Sequence, residues 1–377
     1  MKILLTGGGT GGHFFPIIAV IREIKKICSE KETMNFFYLG PKDKFSSEIL
    51  KKEGVKTKNI VSGKIRRYFS LKSFFQNLVD IFIRIPIGIF QAFWYIFFLN
   101  PDIIFSKGGY GSVPVVITGW ILRVPIFLQE SDIIAGLANR ILSKFSLEIF
   151  TSFPIEKTKG LPAKKIISVG NPIRESILTG TKQDAKRIFN LTEEKPIILT
   201  LGGSQGAQRI NDKILEILPE MLNDFEVIHQ SGHKNFKEVQ AEAKVIIPKS
   251  MEKYYHLFPF LDESELKNGY AAADLIVARA GACTIFEIAS LGKPSFLIPL
   301  PESAQGHQLK NGYAFAETGA CMIIEEINFT SHFFLEKLKN LFLQPKKIEN
   351  MSKKAKEFSK PKAAKLIAEY LMEYLRQ

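Results

Sequence analysis

The sequence predicts an α/β protein built from two Rossmann-like, doubly wound domains that face a cleft. Three observations carry that expectation. Short apolar runs end in glycine-rich turns and pass into helical periodicity at several points, as at Ile3–Leu5, Ile103–Phe105 and Pro196–Leu201. Proline and glycine break the chain at Gly170-Asn171-Pro172-Ile173-Arg174, and a fresh strand-and-helix series begins beyond it. The length of 377 residues suits two full cores. The expected division is 1–174 and 175–357, with a terminal helix from about 358 to 377 packing back on the first domain.

Composition narrows the class. With 46% hydrophobic residues and no low-complexity tract, the chain is globular, and its net charge of +13 is that of proteins that meet nucleic acid, anionic membrane or acidic ligands; its motifs lead to no nucleic-acid partner being expected. Cys28, Cys283 and Cys321 are widely spaced without a CxxC, so neither a disulfide framework nor a zinc site is indicated. The opening MKILLTGGG has too short an apolar run for a signal peptide and reads as a first strand.

That strand feeds Gly7-Gly8-Gly9-Thr10-Gly11-Gly12-His13, followed by helical spacing through Ile17, Val20, Ile21 and Ile24. Glycines let backbone approach a ligand, and amides at a helix start hold phosphate or a developing oxyanion. GxGxxG is satisfied, yet the acidic residue that a dinucleotide site needs after the second strand is missing, because that strand, Phe36–Leu39, runs into Gly40-Pro41-Lys42. His13 is placed to take a proton from an incoming hydroxyl; the plainer reading makes it a cap.

From Lys42 to Lys72 there are ten Lys or Arg against three acids. Leu71 to Leu99 then crowds nine aromatics into 29 residues, among them Phe74, Phe75, Phe93, Trp94 and Phe97. Arg84, Pro86 and Gln91 interrupt the run, so it reads as an interfacial segment on an anionic leaflet, with Arg66 and Arg67 beside it, and not as a span. Core packing accounts for one face.

A second glycine turn, Ser106 to Pro114, follows Ile103–Phe105, and Pro125–Leu128 leads to Gln129-Glu130-Ser131-Asp132. Ile166–Val169 closes the first series. Beyond the break come Pro196–Leu201, a third glycine turn at Gly202-Gly203-Ser204-Gln205-Gly206-Ala207, and strands expected at Val227–His229 and Val245–Ile247. His229, His233 and His256 lack metal-ligand spacing and read as structural. No Asp-x-Asp occurs, so a diphosphate here is expected to be held by amides and side chains without a carboxylate-bound metal.

The richest stretch runs from Asp274 to Gly312. Strand Leu275–Ala278 turns at Ala280-Gly281 into a helix through Ala282, Cys283, Thr284, Ile285, Phe286 and Glu287, which Gly292-Lys293-Pro294 stops before strand Ser295–Ile298. Glu287 there either complements the helix dipole or accepts the hydroxyls of a ribose. The loop beyond offers Gln305, His307, Gln308 and Asn311 to sugar hydroxyls. The tail from Lys346 to Arg376 is basic and helical, with Ala364, Ile367, Ala368 and Leu371 in one stripe.

Gly7 to His13, Gly108 to Pro114, Ala135-Gly136-Leu137-Ala138-Asn139, Gly170 to Arg174, Gly202 to Ala207, His229-Gln230-Ser231-Gly232 and the Asp274 to Gly312 stretch, taken in order, closely resemble the MurG family. Those are peripheral membrane glycosyltransferases of bacterial peptidoglycan synthesis. The resemblance covers essentially the whole chain. It implies the glycosyltransferase B fold, an acceptor domain followed by a UDP-GlcNAc domain, and inverting transfer of GlcNAc to the C4 hydroxyl of MurNAc in undecaprenyl-pyrophosphoryl-MurNAc-pentapeptide, lipid I to lipid II. It also implies that Thr10, Gly11, Gly12, Asp132, Arg174, Ser204, Leu261, Ala282 to Glu287 and His307 line the donor site with Gln308 beside them, and that His13 is the base.

No cofactor or tightly bound metal is expected beyond the donor substrate, and the partners implied are UDP-GlcNAc, the lipid-linked acceptor, the anionic cytoplasmic face of the cell membrane and other cell-wall enzymes. Two departures stand out. Gln129-Glu130-Ser131-Asp132-Ile133 replaces the His-Glu-Gln-Asn-Gly of many members, and His307 stands where some have Gln. An ionised Asp132 accepts but cannot donate to a sugar hydroxyl. Two rivals share parts of the pattern: a UDP-GlcNAc 2-epimerase, which needs no lipid acceptor, and a dinucleotide-binding protein.

Overall fold

The computed structural model describes residues 1–8, 11–29, 32–66, 70–203 and 207–377. Thr10, Arg67 and Ser204 therefore lie outside the described residues, and only the helical backbone is described at Gly11 and His13. The chain forms two units, 1–174 with 361–377, and 175–360.

In the first unit β1 (Lys2–Thr6), α1 (Gly11–Ile27), β2 (Asn35–Gly40), α2 (Lys44–Lys52) and β3 (Lys56–Asn59) precede a long helical segment. That segment is α3 (Leu71–Val79), a π-helical turn over Asp80–Arg84, and α4 (Ile85–Leu99). Next come β4 (Ile103–Ser106), α5 (Val113–Ile121), β5 (Ile126–Glu130), α6 (Leu137–Leu142), β6 (Glu148–Thr151) and β7 (Ile166–Ser168). The second unit opens with α7 (Lys182–Phe189), β8 (Ile197–Leu201), α8 (Gln208–Asp224), β9 (Glu226–Gln230), α9 (Phe236–Ile246) and β10 (Tyr255–Phe258). It continues with α10 (Glu263–Ala272), β11 (Leu275–Ala278), α11 (Ala282–Leu291), β12 (Ser295–Leu297), α12 (His307–Ala316) and β13 (Cys321–Ile323). α13 (Ser331–Phe342) and α14 (Pro345–Phe358) end it, and α15 (Ala363–Arg376) returns to the first unit.

Both sheets are parallel, as the sequence predicts, with strand orders β3-β2-β1-β4-β5-β6-β7 and β10-β9-β8-β11-β12-β13. Each order reverses beside its first strand, between β1 and β4 and between β8 and β11, and doubly wound sheets bind ligands outside the carboxyl ends of the strands at that point. The glycine turns sit there. Strands covered by helices on both faces must be apolar throughout, and Ile3, Leu4 and Leu5 in β1 and Leu275 to Ala278 in β11 are all fully buried.

One sequence expectation changes. Val245 to Ile247 is not a strand: Val245 and Ile246 end α9, with Val245 84% exposed, because the Ala-, Glu- and Lys-rich run before them favours helix. The third strand beside β9 is instead β10, Tyr-His-Leu-Phe, paired through Tyr255 with Val227. The acidic cluster at Asp262 is a capping box, with Asp262 Oδ1 accepting from Glu265 N at 2.9 Å and Glu265 Oε2 from Asp262 N at 2.8 Å.

The tail is two helices, α14 and α15, separated before Pro361. α15 packs on α1 and sinks Ile367, Leu371 and Met372 into the first core, each contributing about 1.5–3 kcal/mol. Tyr374 meets Phe127 edge-on at 5.1 Å.

The helical segment Leu71–Leu99 is long and apolar enough, by length and composition, to cross a membrane. A narrow inner stripe, Gly88, Ala92 and Ile96, packs against α5 and leaves most of the circumference bare. Phe74, Phe75, Phe82, Phe90, Trp94, Phe97 and Phe98 are exposed, Phe98 at 75%. Phe93 is half-buried and stacks on Phe97, so it belongs only partly to the outer face. Asp80, fully buried, is neutralised by Arg66 at 2.6 Å and Arg84 at 2.8 Å, while Arg66 N donates to Asn77 Oδ1 and Asn77 Nδ2 to Arg66 O. Arg66 thus carries a structural duty as well as a charge.

Candidate functional site

In the second unit the carboxyl ends of β8, β9 and β11 carry the candidate donor residues. Gln230 ends β9 and joins two of the loops. Its Nε2 donates to Gly203 O at 3.2 Å in the third glycine turn, and its Oε1 accepts Leu261 N at 3.1 Å. Leu261 is buried, its side chain in the core and its amide held by Gln230. A Cβ at Gly202 would stand 3.0 Å from Gln230 O, which explains a glycine where the turn crosses β9.

α11 opens from Gly281 with no side-chain cap on its first turn, and its amides project beyond β11. Of the predicted run, Ala282, Ile285 and Phe286 are core; Phe286 packs its ring on Phe358 at 5.3 Å. Cys283 and Thr284 are half-buried at the helix start. Glu287, 6% exposed, accepts the Tyr270 hydroxyl at 2.9 Å. A buried carboxylate tethered in this way has a fixed orientation, which ribose recognition requires.

The loop before α12 is braced from within. Gln308 Oε1 accepts Leu300 N at 3.0 Å and Gln308 N donates to Ser303 Oγ at 3.2 Å, so Gln308 shapes the loop. Gln305 and Gly306 both adopt positive φ, of 59° and 63°. His307 and Gln305 are half-buried, whereas Asn311 is fully buried.

An ion-pair network missed in the sequence fastens this loop to its neighbours. Arg209 of α8 pairs with Glu302 at 2.7 Å and also with Glu326, which in turn holds Arg279 after β11. Arg279 donates to Ile298 O at 3.2 Å. These charges are far apart in sequence, and only the parallel sheet brings them together. A cavity of about 1170 Å³, lined by Lys195, Asp274, Lys293 and Lys356 among others, lies at the opposite, amino ends of β8 and β11 and contains none of the candidate residues.

Thr10, Gly11, Gly12, Asp132 and Arg174 belong to the first unit. There the first two glycine turns touch: a Cβ at Gly111 would stand 2.6 Å from Gly7 O, and the Tyr38 hydroxyl donates to the same carbonyl at 3.1 Å. Gly12 and His13 lie in the first turn of α1. Arg174 is buried, its guanidinium 4.0 Å above the Phe15 ring. Asp132 is half-buried, its amide held by Glu130 Oε1 at 2.9 Å. Burial first, and then the Asp132 carboxylate, push Glu130 above the usual carboxylate range against the opposing charge of Lys107. Beneath lies a buried polar layer in which Gln129 Nε2 donates to Ser152 Oγ at 3.2 Å and Ser152 Oγ to Asn171 at 3.1 Å.

Comparison with known proteins decides the family. The glycosyltransferase family 28 N-terminal domain matches residues 3–151 and the family 28 C-terminal domain residues 197–367. The UDP-N-acetylglucosamine–N-acetylmuramyl-(pentapeptide) pyrophosphoryl-undecaprenol N-acetylglucosamine transferase 2 of Bacillus cereus is 37% identical over 341 residues, 90% of this chain and 91% of that one. The chain belongs to glycosyltransferase family 28, in its MurG branch. A transferase of the same name from Clostridium tetani is 37% identical over 354 residues, covering 93% and 92%. Among solved structures, Acinetobacter baumannii MurG matches with TM-score 0.72 at 24% identity over 99% of each chain. The Neisseria meningitidis UDP-GlcNAc 2-epimerase bound to UDP-GlcNAc matches with TM-score 0.65 at 16% identity, covering 99% of this chain and 100% of that one. Family 28 and the epimerase thus share a fold, and fold alone does not separate their chemistries.

Proposed function

We propose that this family 28 enzyme transfers GlcNAc from UDP-GlcNAc to the C4 hydroxyl of MurNAc in undecaprenyl-pyrophosphoryl-MurNAc-pentapeptide, with inversion at the anomeric carbon. The identity of 37% over nine-tenths of the chain to transferases of that name carries the reading. The second unit holds the donor: Glu287 takes the ribose hydroxyls, and the amides at the start of α11 and in the third glycine turn, with Ser204, take the diphosphate. The acceptor oxygen forms a bond to C1 as the bond from C1 to the diphosphate oxygen breaks; UDP leaves, and the hydroxyl proton passes to His13. Donor contacts from Thr10, Gly11, Gly12, Asp132 and Arg174 complete the proposal, with His307 and the brace formed by Gln308 at the sugar.

The bare aromatic face of Leu71–Leu99, with Arg66 and Arg84 beside it, supports docking to an anionic cytoplasmic leaflet, where a lipid-linked acceptor resides. A 2-epimerase has no use for that face. The decisive experiment incubates the protein with labelled UDP-GlcNAc and a lipid-linked MurNAc acceptor. Transfer to lipid supports the proposal, and an epimerised nucleotide sugar with no lipid product overturns it.

A further inference from the structure

Two loops of the first unit rise from adjacent strands and are joined through side chains alone. Glu130 closes β5 and is 4% exposed. Its carboxylate collects three donors: Asp132 N on Oε1 at 2.9 Å, Gly136 N on Oε2 at 3.3 Å and Asn139 Nδ2 on Oε2 at 2.8 Å. Asn139, itself buried, uses its other end on the next loop, its Oδ1 accepting Gly109 N at 3.0 Å. Gly108 and Gly109 both hold positive φ, and a Cβ at Gly108 would lie 1.9 Å from Asn139 Oδ1. The second glycine turn is therefore moulded onto Asn139, and Asn139 is held by Glu130.

We propose that Glu130, acting through Asn139, is a positioning residue for glycosyl transfer, setting the Ser131–Gly136 loop that carries Asp132 and the Gly108–Gly111 turn in one register. This rests on the transferase reading above. The residue types fit the duty. Three N–H donors converge on two oxygens, so a glutamine would turn its own donors toward one of them, and Asn139 must donate and accept at once, which an aspartate cannot do. Breaking a buried charge-assisted pair leaves its partners unsatisfied, and the loss spreads to both loops. Lys107, 2% exposed and donating no side-chain bond to any described residue, supplies the positive charge that offsets the buried carboxylate.

The test uses the full chain with Glu130→Gln, Asn139→Asp and the double variant, in which a glutamine donor faces an aspartate acceptor. Three quantities are read: kcat/KM for the lipid acceptor, UDP affinity by calorimetry, and amide exchange at Gly109. Each single variant should lose about 10- to 100-fold in kcat/KM and exchange Gly109 about tenfold faster, with UDP affinity changed less than about twofold. The double variant should recover to within about fivefold of wild type. Recovery no better than the weaker single variant, or single variants with wild-type turnover, overturns the proposal. Asn139→Ser, which removes only the bridge, serves where a charged variant fails to fold; wild-type turnover there overturns it as well. Should the wild-type protein transfer no sugar, the transferase reading falls and exchange decides the coupling: unchanged Gly109 protection in both single variants sinks it.

Discussion

Tyr270 and Glu287 are bound to each other across neighbouring helices, the phenol donating to the carboxylate at 2.9 Å. Glu287→Ala should weaken UDP binding by about 10- to 100-fold in calorimetry, the worth of a hydrogen bond to a buried charge. Tyr270→Phe should keep the carboxylate but loosen its orientation, costing about three- to tenfold. Wild-type affinity in the alanine variant would remove Glu287 from the ribose.

His13 occupies the first turn of α1 and is the base in the proposed transfer. His13→Ala is expected to lower kcat by about 10²–10⁴ while UDP affinity stays put, the signature of a group used in proton transfer. Unchanged kcat would return the histidine to a capping role.

Phe74, Phe75, Trp94 and Phe97 point away from the first core, Phe74 being 59% exposed. Replacing all four with Ser should abolish binding to anionic vesicles in a flotation assay and leave the thermal midpoint nearly unchanged. Ile96→Ser, on the buried stripe, should instead destabilise the fold by about 2–5 kcal/mol. A collapse of the midpoint in the surface variant would show that the face is covered by protein.

His229 is fully buried between Tyr255 and Asn211, at 2.8 and 3.0 Å, and burial pulls it down to about 4 from an ordinary 6.5. The unfolded chain binds the proton first, so stability is whole above pH of about 6.5 and is lost as pH falls toward 4, by up to about 3 kcal/mol. Denaturant midpoints of wild type and His229→Gln should therefore converge on acidification. Parallel pH profiles would count against the assignment.

The architecture was legible because its signal is local: an apolar strand, a glycine turn and helical periodicity fall within one short window, and β1, β4, β8 and β11 all appear where that pattern repeats. β3, Lys-Thr-Lys-Asn, was not, since an edge strand of polar residues carries no apolar run. That Glu287 lies on a helix opening from β11 was legible from the strand, glycine and helix spacing around it. Gln230 and the Arg209, Glu302, Glu326 and Arg279 network were not, because their roles depend on which strands become neighbours. The burial of Asn311 was not legible either, because a polar residue beside a loop gives no sign of being covered.

α15 gives the first unit a core completed from the far end of the chain, for Ile367, Ala368, Leu371 and Met372 join residues from β1, α1 and β5. Synthesis runs from one end only, so the first sheet waits with an open flank while all of residues 175–360 are made. The second unit can settle before the first is closed. The first core is sealed only when α15 lies down on α1.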